Sequence, residues 1–370
     1  MDARAALLWA TGEDWSVEDV ELDEPEQVEV LVEMKAAGLC HSDEHIRTGD
    51  IPMMMPAVCG HEGAGIVEKV GERVTALVPG DHVAMSFIPS CGQCRWCSSG
   101  QPTLCDLGQY LMTGTPIANG VPRMRAKGQG IAPMSLVGCF ATHQVMHQAS
   151  LVKIDPDLPF EAAALVSCGV TTGWGSVVHT ARTAPGDTVV VVGVGGIGAN
   201  AVQGAKMAGA RSIVAVDPVA SKLGHAKSLG ATHTASDVYE AYALVKDMTE
   251  GQLADSAILT TGVAYGDLLG PTMSLVRKGG AVVVTAIAPF SQSEVNLSLF
   301  ELTLWHKEIR GSLFGGGSPR VDIPKLLALY KDGSLELDQL ITATYPLDRI
   351  NEGYAAMRDG TNLRGVIVFD

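Results

Sequence analysis

Thr188-Val-Val-Val-Val192 runs directly into Gly193-Val194-Gly195-Gly196-Ile197-Gly198, and this stretch decides how half of the chain folds. A continuous β-branched run reads as a strand buried on both faces. The glycine turn at its end opens an Ala-rich stretch that reads as a helix to about Gly209. A second apolar run, Ser212-Ile-Val-Ala-Val216, then ends in Asp217. A bare GxGxxG is a weak signal. Strand, turn, helix, second strand and acid in this order predict a dinucleotide site. The glycines let the backbone turn tightly and approach a pyrophosphate, whose charge then rests at the helix N-terminus. Asp217 would accept the adenosine ribose hydroxyls and repel a 2′-phosphate, so NAD is preferred over NADP.

The same texture continues beyond the glycine turn. Apolar runs such as Ala281-Val-Val-Val284 alternate with Ala-rich helical stretches, which predicts a doubly wound parallel sheet. Before residue 170 the pattern differs. Short β-prone runs, Val28–Met34, Gly65–Val70 and Asp81–Met85, are broken by Gly and Pro and predict a β-rich domain. From about residue 313 the character is mixed again. The expected organisation is therefore an α/β chain: a β-rich domain from 1–169 and 313–370, and a cofactor domain from 170–312.

With 370 residues the chain can bury a large core. Forty-one acidic against 26 basic residues give a formal charge of −15. That field repels polyanions, so nucleic acid is not an expected partner. No run approaches the roughly 18 apolar residues of a membrane span. The start, Met1-Asp-Ala-Arg-Ala, carries no signal-peptide pattern, and a cytoplasmic location is expected.

Cys91-Gly-Gln-Cys94-Arg-Trp-Cys97 with Cys105 beyond it places four thiols in one tight loop. This spacing suits a closed tetrahedral zinc site, which is structural because no position is left for substrate. Two disulfides are the alternative, and they require an oxidising compartment of which the chain shows no sign.

Several longer motifs occur in one order: GLCHSDEH at 38–45, GHEGAG at 60–65, the four-cysteine loop, SCGVTTGWG at 167–175, GVGGIG at 193–198 and INEGYAAMRDGTNLRGVIVF at 350–369. In this the whole chain resembles the zinc-dependent medium-chain alcohol dehydrogenases. TGD at 48–50, SFIPSCGQCRWCSSGQ and LFGGGSPRVDIPKLLALY resemble the nitrosoaniline-dependent branch, whose members are thought to hold NAD tightly and to pass electrons to an external acceptor. The resemblance implies a GroES-like catalytic domain beside a Rossmann coenzyme domain, two zinc ions per subunit, NAD, and a homodimer or homotetramer.

Roles follow from the resemblance, position by position. Cys40, His61 and Cys168 would hold the catalytic zinc, with Glu62 as an occasional or neighbouring ligand. Asp43 would hydrogen-bond the far nitrogen of His61. Ser42 would take the alcohol proton and pass it through the nicotinamide ribose to His45 at the surface. Thr172 would pack near the nicotinamide, Lys222 would support the adenosine ribose and Arg364 the pyrophosphate. Ile287 joins the cofactor-binding set with Gly193, Gly195, Gly196, Ile197, Gly198 and Asp217. Phe87 and Leu136 would line the substrate channel, with Met53-Met-Met55 as channel or core wall, and residues 308–314 would join two sheets across a dimer.

One position departs from the family. His41 stands where many relatives carry Arg near the pyrophosphate, and an imidazole is mostly neutral at pH 7. The expected activity is hydride transfer between a primary alcohol, or its aldehyde, and NAD. A thiol-dependent formaldehyde dehydrogenase is the alternative, and it would need a cationic pocket for which Arg123 and Arg125 are the candidates. A non-catalytic NAD-binding protein of the same scaffold would commonly have lost the residues that are all present here. Cys59 and Cys139 have no metal partner at family positions and are expected to be plain packing.

Overall fold

In the computed structural model, which describes all 370 residues, Thr188–Val192 lies inside a six-stranded sheet whose neighbouring strands are all parallel. Across this sheet the order is His233–Ala235, Ser212–Val216, Thr188–Val192, Ala254–Leu259, Val276–Val284 and Glu308–Gly311. Numbered along the chain this is 3-2-1-4-5-6, the doubly wound dinucleotide-binding order. All five residues of the first two strands are buried, as their unbroken apolar runs require. Helix Gly196–Met207 follows the first strand, starting at the glycines and ending two residues before Gly209.

This sheet and its helices form one compact unit, Gly169–Gly317. Residues 313–317 were expected with the first domain but group here. Phe314 is 2 % exposed, and Thr180 Oγ1 donates to the Gly315 carbonyl at 3.2 Å, which ties the segment to the start of the unit.

The other unit comprises Met1–Cys168 and Ser318–Asp370. Its main sheet is built on the long strand Glu29–Gly38, which pairs antiparallel with Glu62–Val70, with His143–His147 and with the C-terminal strand Arg364–Val368. The first strand is longer than its alternating pattern suggested, because Ala36, Ala37 and Gly38 continue it as small buried residues. A second sheet contains Asp2–Leu8 and Ser16–Leu22. The core includes Trp15 stacked on Tyr354 with ring centroids 4.0 Å apart, and Cys59 and Cys139 are fully buried within it. Met53 and Met55 pack against this core, while Met54 is exposed.

Residues 107–133 include a short hairpin. Met124–Ala126 and Gln129–Gly130 form a hairpin that pairs with Ser16–Leu22 and extends the second sheet. Arg123, beside this hairpin, is 7 % exposed. Its Nε donates to Glu29 Oε2 at 2.8 Å and its Nη2 to Glu26 Oε2 at 3.1 Å. Glu29 is itself buried, so the two charges offset one another's desolvation. Arg123→Met would strand the Glu29 carboxylate, and the expected loss is about 3–5 kcal/mol of stability. Chemical denaturation of the variant measures it, and an unchanged midpoint would contradict the pairing.

Candidate active site

Two groups of metal-ligating side chains stand in the first unit, each with its ligand atoms within 4.8 Å of one another: Cys40, His61, Glu62 and Cys168; and Cys91, Cys94, Cys97 and Cys105. All four members of the first are buried. Local structure explains how residues so far apart in sequence meet. Cys40 precedes helix His41–Thr48, and His61 precedes strand Glu62–Val70, whose first residue pairs with Gly38. Cys168 rides on a wide helical turn, Val166–Val170. This turn is fixed to the strand because Ser167 Oγ donates to the Gly63 carbonyl at 2.8 Å.

Asp43 organises the histidine. Its Oδ1 accepts the Gly60 backbone N–H at 2.8 Å and lies 3.3 Å from His61 Nδ1, and the carboxylate is wholly buried. With Nδ1 held there, His61 Nε2 is left buried and without a hydrogen-bond partner. An orphaned imidazole nitrogen beside two thiols is the donor set that zinc takes in an open Cys2His site. Hydrogen bonding from Cys168 and the neighbouring His61 draw the Cys40 thiol well below its ordinary value, against burial. Cys40 is thereby inclined toward the thiolate a metal needs.

Glu62 faces two ways. Its Oε2 pairs with Arg364 Nη2, while Oε1 is buried with no partner. Burial pushes its carboxyl up to about 8, although Arg364 pulls in the other direction. Arg364, assigned to a pyrophosphate from the resemblance, thus lies buried against Glu62, and its Nε makes no hydrogen bond. Phe87 meets the His61 ring edge-on with centroids 5.5 Å apart, so it walls the cluster. Leu136 is buried in a turn with φ of 68°. Ser42 Oγ lies 3.7 Å from Cys40 Sγ.

His45 requires a correction. It was expected at the surface, yet it is 4 % exposed within helix His41–Thr48, and its Nδ1 is 3.0 Å from Asp50 Oδ2. The helix turns that face inward, toward a core that includes Ile46. His41, at the helix start, is exposed.

The four-cysteine loop is free of disulfides, and Cys91 Sγ and Cys97 Sγ are 3.9 Å apart. A tetrahedron with 2.3 Å metal–sulfur legs has edges of about 3.8 Å. The backbone N–H groups of Gln93 and Cys94 donate to Cys91 Sγ at 3.4 and 3.3 Å, which suits a sulfur carrying negative charge. Backbone hydrogen bonds from Cys97 and Asp106 draw the Cys94 thiol down to about 6.

In the second unit the glycine turn and Asp217 lie side by side at the carboxyl ends of adjacent strands. Gly193 has φ of +91°, which a side chain would disfavour, and its N–H donates to the Val216 carbonyl at 2.8 Å. Asp217 accepts the Val194 N–H at 2.8 Å and the Val219 N–H at 2.9 Å, so turn and carboxylate fix each other. No side chain caps helix Gly196–Met207, and a Cβ at Gly195 would meet nothing within 4 Å. Free helix N–H groups above an open glycine fit a pyrophosphate. Lys222 is half-buried on the following helix Ala220–Leu229. Ile287 is exposed, and its carbonyl accepts the Ala264 N–H at 2.9 Å. Thr172 Oγ1 is buried without a partner.

Sequence reasoning missed three features here: the Glu62–Arg364 pair, the Asp50 partner of His45, and Thr260, whose Oγ1 donates to the Gly193 carbonyl at 2.6 Å. The TGD motif at 48–50 was the only signal pointing to Asp50, and it served only as a mark of resemblance.

Comparison with known proteins agrees with this geometry. The alcohol dehydrogenase GroES-like domain matches residues 26–156, and the zinc-binding dehydrogenase domain matches residues 196–332. Alcohol dehydrogenase B of Mycobacterium tuberculosis is 48 % identical over 368 residues, covering 99 % of this chain and 98 % of the relative. The NDMA-dependent alcohol dehydrogenase of Amycolatopsis methanolica is 45 % identical, covering 100 % and 99 %. Among solved structures, benzyl alcohol dehydrogenase of Acinetobacter calcoaceticus superposes with a TM-score of 0.92 at 31 % identity, with both chains fully covered. Buried thiols and an oriented imidazole in one unit, a glycine-cradled dinucleotide fold in the other, and full-length similarity of this degree lead to one conclusion: the chain belongs to the zinc-binding medium-chain alcohol dehydrogenases, in the branch that includes its nitrosoaniline-dependent relative.

Proposed function

We propose that the protein transfers hydride between a primary alcohol, or its aldehyde, and NAD, and that NAD stays bound and is recycled by an external acceptor. The observation that carries the reading is the buried convergence of Cys40, His61 and Cys168, with His61 Nδ1 held by Asp43 and Nε2 left without a partner. In this reading those three residues hold the catalytic zinc, and Cys91, Cys94, Cys97 and Cys105 hold a structural one, giving two per subunit. Zinc at the first site would act as a Lewis acid on the alcohol oxygen. The resident NAD and the external acceptor are the part that rests on the resemblance to the nitrosoaniline-dependent branch.

The chain's own groups do the rest. Asp43 fixes the His61 tautomer, so that Nε2 points its lone pair at the ligand site. Ser42, beside Cys40, takes the hydroxyl proton, and His45 receives it for release to water. Glu62, paired with Arg364 and with Oε1 unpartnered, would be an occasional further ligand of the catalytic zinc. Phe87 and Leu136 shape the apolar wall that orients the alcohol carbon. Asp217 and the glycine turn take the adenosine ribose and the pyrophosphate, with Thr172, Lys222 and Ile287 assigned to the remaining cofactor contacts. Arg364 in this reading serves by holding Glu62, not by meeting the pyrophosphate.

Other features support the wider setting. Glu308–Gly311 is an edge strand, and Leu304, Ile309 and Leu313 around it are exposed, so pairing with a second copy would cover an apolar sheet edge. We therefore expect a homodimer or homotetramer. Eight free cysteines fit a reducing cytoplasm, and no helix is long and apolar enough to cross a membrane. The thiol-dependent formaldehyde reading loses its pocket. Arg123 is taken up by Glu26 and Glu29, and Arg125 Nη2 donates to Asp23 at 2.6 Å, so neither offers a free charge to a carboxylated thiol.

A primary alcohol added to the purified protein with no cofactor supplied should produce one turnover's rise in nicotinamide fluorescence, repeated only when an electron acceptor is added. A rise that needs added NAD would remove the resident cofactor but keep the dehydrogenase. No rise under either condition would overturn the reading. Metal analysis separates the two sites. Cys40→Ser should lose about one zinc per chain and all turnover, whereas Cys94→Ser should lose the other zinc and lower the melting temperature. Near-normal turnover by a Cys40→Ser protein lacking that zinc would end the proposed mechanism.

A further inference from the structure

We infer that Asp50 is a positioning residue of the proton relay: its carboxylate fixes the tautomer of His45 and stabilises the imidazolium formed when that ring takes up a proton. The inference rests on the relay role proposed for His45 and adds the group that makes it work.

Burial creates the need. With 4 % of its surface exposed, His45 cannot rely on bulk water to orient its ring or to balance a new positive charge. Asp50 answers both requirements. The helix His41–Thr48 ends on Gly49, whose φ of 87° turns the chain sharply, and the Ile51 N–H returns to the His45 carbonyl at 3.1 Å. This hook carries the Asp50 carboxylate back to the ring, Oδ2 lying 3.0 Å from Nδ1. Thr48 Oγ1 donates to the same oxygen at 3.0 Å and holds it in place. The nearby cation is engaged elsewhere, because Arg47 donates to both Glu44 oxygens at 2.8 and 2.6 Å.

Hydrogen bonds from His45 and then Thr48 keep the Asp50 carboxyl below its ordinary range, so it is ionised and can only accept. The ring nitrogen that faces this carboxylate, Nδ1, therefore carries the hydrogen. A proton taken up on the ring makes the imidazolium, and the neutral Nδ1–H form returns when that proton is passed on. Asp50 is not protonated in the cycle, and nothing is oxidised or reduced. Its side chain is 38 % exposed, which places the carboxylate at the boundary between the buried ring and solvent.

The test uses the zinc- and NAD-containing full-length enzyme. Asp50→Asn should lower kcat about 10–100-fold, the usual cost of losing an orienting partner. KM for the alcohol and the melting temperature should stay unchanged, and the solvent deuterium isotope effect on kcat should grow. Nitrogen-15 NMR should show His45 changing from the Nδ1–H tautomer to a mixture, and Asp50→Glu should recover part of the rate. His45→Gln is the companion variant. If it is slow while Asp50→Asn is normal, Asp50 has no positioning role and the relay stands. If both are normal, the relay itself fails and this inference with it. A parallel loss of melting temperature, KM and kcat, with the His45 tautomer unchanged, would mark Asp50 as merely structural and overturn the inference.

Discussion

The buried carboxylate of Asp43 is the interaction on which the site depends. It is wholly removed from water, and desolvating a carboxylate costs several kcal/mol before compensation. The Gly60 N–H and the His61 ring supply that compensation, and in doing so they lock helix His41–Thr48 to the turn before strand Glu62–Val70. Cys40 stands at one end of this lock and His61 at the other. The same charge reaches into the core. Together with burial it raises the Tyr354 phenol, which stacks on Trp15, so the buried Cys-His cluster and the packing behind it share one electrostatic anchor.

Helix His41–Thr48 is consequently the most heavily used element in the first unit. Its start carries Ser42 and Asp43, with Cys40 just before it, to the buried cluster, and the rest carries His45 and the charged residues Glu44 and Arg47. Those two are joined to each other, and Glu44 is joined to Arg358 at 3.2 Å. The helix and the residue before it therefore place the Cys40 thiol, the carboxylate that holds His61, the Ser42 hydroxyl and the His45 imidazole. A sheet edge could not do this, because alternate side chains point to opposite faces. The second unit solves a different problem by backbone geometry. Its glycine turn and Asp217 hold each other through main-chain hydrogen bonds, leaving an open patch above Gly195.

How much of this could be read in advance varies with the range of the interaction. The dinucleotide fold was legible because every element is local: a β-branched run, a glycine turn, a helix, and an acid at the end of the next strand. The four-cysteine loop was legible for the same reason, its thiols lying within one short segment. The trio Cys40, His61 and Cys168 was reached only through resemblance, since nothing in the spacing of three residues so far apart says that they meet. His45 was placed at the surface because its exposure depends on which side of the helix the core covers.

The sequence by itself determined the order of elements, the two-domain character, the dinucleotide turn and the four-cysteine loop, because periodicity, glycine and close cysteine spacing act over a few residues. Only the tertiary structure decided which charges are spent and which remain available. Arg364 pairs with Glu62 across 302 positions of chain, and Arg123 with Glu29 across 94, so cations that looked free for a ligand are neutralised in place. Asp50 became the partner of His45 because Gly49 hooks the chain back on itself at a buried ring. In each case a charge removed from water must find a partner within hydrogen-bond reach, and the partner is chosen by packing rather than by position in the sequence.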